Sequence, residues 1–184
     1  SLKVASSVEW FEKLCRIVAA AHDEGVLHRC LKPENILLDE DLNPLLSDFD
    51  MADLPTLATE RTDAGGYRAY AAPEELLDTG TQSPTADIFS LGRILHFLLI
   101  GEDPPLSVTA VPELSDLKKQ PAGLSRIIRK CTMRAPEARY QWVSELLGDL
   151  ERYEDYEQVG LEGGPEANYL PYRISSLSHK KPWL

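Results

Sequence analysis

Basic residues are scarce. Lys and Arg number 19 against 30 Asp and Glu, a formal net charge of −11. Nucleic-acid binding needs a basic footprint that displaces counterions, so that class is set aside, and anionic membrane surfaces with it. Long apolar runs are also absent. The longest, Ile94 to Ile100, contains His96 and is far shorter than the about 20 residues of a membrane span, so no membrane insertion is expected. Cysteine is sparse: three, an odd number with no paired spacing, does not read as a secreted disulfide framework. No basic segment followed by an apolar run opens the chain, so no signal peptide is expected and a cytoplasmic location is the default. The four histidines are scattered, no Cys/His cluster has zinc spacing, and no G-x-S-x-G elbow occurs. No metal site is expected from these patterns. What is there is ordinary: 43% hydrophobic and 27% charged residues over 184 positions, enough for one domain with a real core.

Periodicity predicts a mainly helical chain. Phe11, Leu14, Cys15 and Val18 fall on one face of a helix over Ser6–Ala21, with Ser6 and Glu9 as a capping box and Gly25 as its stop. Ile36-Leu37-Leu38 and Leu45-Leu46 read as two brief strands around a linker rich in turn formers. Such a hairpin brings Asn35 near Asp48. Met51–Tyr70 has little periodicity and reads as a long loop. Ser83 and Pro84 open a helix that is apolar almost all round, hence buried, and Gly101 with Pro104-Pro105 ends it. Further helices are expected near 113–119, over Leu124–Met133 and over Tyr140–Tyr153. From Glu154 onward, glycines and prolines interrupt any helical pattern, and the chain reads as a tail.

One stretch carries chemistry. It runs His28-Arg29-Cys30-Leu31-Lys32-Pro33-Glu34-Asn35 and ends at Asp48-Phe49-Asp50. It resembles the protein-kinase catalytic loop, H-R-D-L-x-x-x-N followed by D-F-G, with Cys30 in place of the base Asp and Asp50 in place of Gly. Tyr70-Ala71-Ala72-Pro73-Glu74 is similar to the Y-x-A-P-E that closes the activation segment. Asp87-Ile88-Phe89-Ser90-Leu91-Gly92 resembles the D-x-W-S-x-G of the central helix. Cys131 to Tyr140 looks like the end of a carboxy-terminal lobe of the bacterial Ser/Thr type. The resemblance runs from about Ser1 to Leu150. It implies a mainly α, kinase C-lobe-like domain over 1–153 with a small β-hairpin at the catalytic loop, followed by a tail over 154–184. The glycine-rich loop, strand Lys and helix Glu of an amino-terminal lobe are not in the sequence.

The resemblance also assigns residues. Lys32, Asn35 and Asp48 match the phosphate-contacting and magnesium-binding positions, retained either for a metal nucleotide or for structure, with Lys32 pairing to Asp48. Cys30 stands where the proton acceptor belongs. An ordinary thiol, titrating near pH ~8.5, is a poor base at neutral pH, so no catalytic residue is expected there. Arg29 and Lys32 leave a redox-sensitive thiol as a second reading. Asp50 adds a Cβ and a charge where Gly gives freedom. Tyr67 lies where G-T-x-x-Y places a Thr. Thr56, Thr59 and Thr62 are weak phosphorylation candidates facing Arg29. Glu74 and Arg139 resemble a buried structural ion pair, Asp87 an acceptor for catalytic-loop N–H groups, and His28 a packed histidine. The expectation is a pseudokinase lobe that binds or scaffolds, with no cofactor. A protein partner, a second copy or the tail would cover the face an amino-terminal lobe normally occupies. The alternative is the carboxy-terminal half of a split or truncated Ser/Thr kinase, using Mg-ATP once an amino-terminal lobe is supplied in cis or trans.

Overall fold

A computed structural model of the chain describes residues 4–49, 65–76, 83–105, 117 and 119–153. Asp50, Thr56, Thr59, Thr62, the side chain of Tyr67, most of the helix expected near 113–119 and the tail over 154–184 lie outside the described residues.

Helix α1 spans Val4–Asp23. It buries Val8, Phe11, Leu14, Cys15 and Val18, the stripe expected from spacing. Ser6 is exposed inside this helix, so it does not act as the expected cap; Val4 and Val8 extend the apolar stripe upstream of it. Gly25 takes φ 75° and lets the chain turn back. A 3-10 turn at Pro33–Asn35 leads into β1, Ile36–Leu38, which pairs antiparallel with β2, Pro44–Leu46. The register sets Ile36 opposite Leu46 and Leu37 opposite Leu45. Ile36 and Leu46 lean on the core, while Leu37 and Leu45 face outward.

The end of the expected long loop is helical. Gly65–Tyr70 forms α2 and Pro73–Leu76 a single turn, α3. The cause is tertiary. Ser90 Oγ donates to the Tyr70 carbonyl at 2.9 Å, and Arg93 Nε donates to the Ala69 carbonyl at 2.6 Å. Side chains of the next helix thus satisfy carbonyls that a short helix leaves open. That helix, α4 (Pro84–Ile100), is the hub of the fold. Its N-cap Ser83 accepts the Thr85 N–H, Pro84 occupies the first turn, and Gly101 closes it at φ 83°. It is buried from Thr85 to His96 and packs against α1, α2 and α5 (Ala122–Cys131).

Gly92 makes the α4–α5 crossing close: a Cβ there would lie 2.4 Å from Cys131 Cβ. A 3-10 turn at Pro136–Ala138 leads to α6, Val143–Leu150, which packs on α1 and α5. Helix α6 is shorter than the expected Tyr140–Tyr153. Tyr140 is committed to the core with its hydroxyl on Asp149 at 2.8 Å, and Glu145 reaches back to the Gln141 N–H at 2.8 Å, so the helix begins after them.

Candidate functional site

The site sits where the loop after α1, the β-hairpin and the start of α4 meet. Asp87, in the first turn of α4 and fully buried, organises it. Its carboxylate accepts the His28 N–H and the Arg29 N–H, each at 2.8 Å. Arg29 is held at φ 62°, a left-handed conformation that costs a non-glycine residue roughly 1–2 kcal/mol. The two charge-assisted bonds to Asp87 offset that cost and fix the loop. Nε2 of His22, at the end of α1, also lies 2.8 Å from Asp87 Oδ2. The sequence reading missed His22. Its partner is 65 residues away, and nothing local marks it.

His28 is buried, and its ring lies 4.5 Å from that of Phe49. Burial pushes its imidazole down from the ordinary 6.5, against the opposing pull of Asp87 and of nearby carbonyls and Asp48. Phe49 and Asp48 follow β2, and Asp48 is itself left-handed at φ 60°. Ser47 joins the two ends of the motif. Its N–H donates to the Asn35 carbonyl at 3.0 Å, and its hydroxyl donates to Asp48 Oδ2 at 2.9 Å. The hairpin therefore brings Asn35 and Asp48 to one place. Asn35 is buried, and its Nδ2 donates to the Cys30 carbonyl at 2.8 Å.

Cys30 is half-buried and in no disulfide. Lys32 is half-buried, Asp48 is exposed, and among the described residues no ion pair joins them, so the expected Lys32–Asp48 pairing is not formed. Asn35 Oδ1 and Asp48 Oδ1 are oxygen donors of the kind magnesium takes, so this half of a nucleotide site has fitting chemistry. Among the described residues no group of three or more His, Cys, Asp or Glu converges as a metal cluster.

Arg139 and Glu74 lie apart from this centre. The guanidinium, wholly buried, meets the carboxylate in a fork: Nη1 to Oε1 at 2.6 Å and Nη2 to Oε2 at 2.8 Å. Arg139 also donates to the carbonyls of Met133, Thr85 and Arg134 and lies over the Phe89 ring. It thereby ties α3 to α4 and to the loop after α5. A second buried guanidinium, Arg93, donates to the carbonyls of Ala69 and Pro105, and burial lowers its pKa to about 10.

The protein kinase domain family matches residues 2–161 of this chain. The chain belongs to the protein kinase family. Its relatives include CBL-interacting serine/threonine-protein kinase 24 of Arabidopsis thaliana, 43% identical over 61% of this chain and 25% of that protein. CBL-interacting serine/threonine-protein kinase 26 of the same plant is 35% identical over 91% of this chain and 40% of its own length. Serine/threonine-protein kinase PknD of Chlamydia caviae is 31% identical over 98% of this chain and 22% of its own. The chain thus spans less than half the length of each of these relatives. Among solved structures, the Mycobacterium tuberculosis PknI kinase domain superposes with a TM-score of 0.67 at 25% identity, over 83% of this chain and 56% of that one. The helical architecture with its two-stranded sheet is a kinase-family, C-lobe-like fold. No described helix is long and apolar enough to cross a membrane.

Proposed function

We propose that this kinase-family lobe is a pseudokinase module that binds or scaffolds another protein and does not itself transfer phosphate. Cys30 carries the reading. Phosphoryl transfer by this family uses a carboxylate at that position to accept the substrate hydroxyl proton, and a half-buried thiol is a poor substitute. The rest of the loop is intact, with Asp87 holding His28 and Arg29, so the scaffold outlives its base. The hairpin exposes Leu37, Leu38, Leu42 and Leu45, with Leu37 and Leu45 together on its outer face, and supplies an apolar surface of the kind that marks protein contacts.

The test is phosphate transfer to a generic protein substrate with magnesium and ATP, alongside thermal stability with and without the nucleotide. No transfer is expected. Transfer that disappears in Asp48→Ala overturns the proposal.

A second reading is favoured by the grouping of Asn35 and Asp48 through Ser47. In it the chain is the carboxy-terminal half of a Ser/Thr kinase that becomes active when an amino-terminal lobe is supplied. Bound magnesium would screen the phosphate charges, while Asn35 and Asp48 would hold it and Lys32 would face the phosphate. Reconstitution with an amino-terminal lobe separates the readings: restored, Asp48-dependent transfer supports the second.

A further inference from the structure

The hairpin tip is a rigid apolar knob. Leu37, Leu38, Leu42 and Leu45 are 53%, 53%, 65% and 49% exposed. Leu37 and Leu45 are cross-strand partners on one face, and Leu42 projects from the turn at φ 62°. The turn is heavily pinned. The Asp39 carboxylate accepts the Asp41 N–H at 2.9 Å, the Asn43 N–H at 2.7 Å and Asn43 Nδ2 at 3.0 Å. From α1, Trp10 Nε1 donates to the Leu42 carbonyl at 2.9 Å, and Lys13 Nζ donates to Asn43 Oδ1 at 2.9 Å. A leucine fixed in a strained conformation and aimed at water is a pre-organised contact residue.

We infer that this face is covered by the chain's own C-terminal segment, residues 167–184. The inference rests on the surface-using reading above and names the occupant. Three observations select it. The first is charge. The tip carries Asp39 and the exposed Glu40 and Asp41, with the ammonium of Lys13 held beside them on Asn43. Residues 167–184 carry Arg173, Lys180 and Lys181 and no acid, whereas 154–166 holds Glu154, Asp155, Glu157, Glu162 and Glu166 and no base. The second is apolar content: Leu170, Tyr172, Ile174, Leu177, Trp183 and Leu184 match a leucine surface.

The third is reach. Near the end of the described chain, Glu151 lies 3.7 Å from Arg16 on α1, the helix that carries Lys13 and Trp10 to the tip. Arg16 and Trp10 are separated by about 9 Å of helix. A chain of as many residues as 154–166 can reach up to roughly 45 Å, ample to bridge that distance. A tethered segment also acts at high effective concentration. A second copy fits less well, because it would set one acidic tip against another.

Zero-length carbodiimide cross-linking of the full chain at low salt tests this. Cross-links from Lys180 or Lys181 to Glu40 or Asp41 are expected within a monomer, with a yield independent of protein concentration. The pair Lys180→Glu and Lys181→Glu is expected to abolish them and to speed amide exchange over residues 37–42. Adding Glu40→Lys and Asp41→Lys to that pair is expected to restore both signals, with donors and acceptors exchanged. Cross-links that form only between copies, with a matching dimer, would assign the face to a second copy and overturn the inference. Absence of cross-links together with unchanged exchange in the variants would overturn it as well. Phosphate transfer measured on the same sample separates this from the reading beneath it: transfer would sink the pseudokinase proposal and leave the cross-link result standing.

Discussion

Replacing Arg139 with methionine is expected to be among the most damaging single changes to this fold. Methionine keeps an unbranched apolar stem but removes every donor, along with the guanidinium that lies over the Phe89 ring. The guanidinium makes two bonds to Glu74 and one each to the carbonyls of Met133, Thr85 and Arg134. Arg139 is 0% and Glu74 12% exposed at the side chain, so water cannot take the place of the lost partner. Breaking a buried pair from one side costs about 3–5 kcal/mol. In a domain of this size each kcal/mol moves the midpoint by about 2–4 °C, so a fall of roughly 6–20 °C is expected. Urea and thermal unfolding followed by circular dichroism read it. The double variant Arg139→Met with Glu74→Leu is expected to regain part of the loss, since it no longer buries a carboxylate stripped of its guanidinium. It does not regain all, because the carbonyls of Met133, Thr85 and Arg134 lose the donors that Arg139 supplies. A loss under about 1 kcal/mol, the worth of an exposed pair, would refute the argument. So would a double variant no more stable than the single one.

Three further outcomes follow from the same geometry. Gly92→Ala puts a Cβ 2.4 Å from Cys131 Cβ and is expected to cost about 1–3 kcal/mol in denaturant unfolding. Gly148→Ala meets only Arg152 Nη2 at 3.9 Å and is expected to stabilise by up to about 1 kcal/mol; equal effects at the two sites would discredit the crossing geometry. Asp87→Asn replaces an acceptor of two backbone N–H groups and of His22, and is expected to cost about 2–3 kcal/mol and to speed amide exchange at His28 and Arg29 first. Unchanged exchange at those two amides would contradict the role given to Asp87. His28 is held neutral by burial, its folded pKa lying below the unfolded 6.5. Its contribution is therefore present above pH ~6.5 and is lost as pH falls through the folded value, because the unfolded chain takes the proton first. Stability measured from pH 7 to 5 is expected to fall less steeply in His28→Phe than in the parent; parallel curves would rule this out.

Much of the fold was legible because local rules and the tertiary solution agree. The α1 stripe of Phe11, Leu14, Cys15 and Val18, the Ser83-Pro84 start and Gly101 stop of α4, and the brief hairpin strands needed only spacing and backbone preference. Element ends were less legible where a distant group sets them. Ser6 carries a capping signature yet lies inside α1, and α6 starts late because Tyr140 belongs to the core.

By itself the sequence determined the family, through motifs in order, and the chemistry available: a thiol at Cys30, and oxygen donors at Asn35 and Asp48. Tertiary structure alone decided which groups meet. It set His22 on Asp87, Ser47 between Asn35 and Asp48, and Arg93 and Ser90 on the carbonyls that make Gly65–Tyr70 helical. It also left Lys32 apart from Asp48. The reason is physical: a hydrogen bond is settled to a few tenths of an ångström by packing between elements far apart in the chain, and spacing along the chain does not encode that distance.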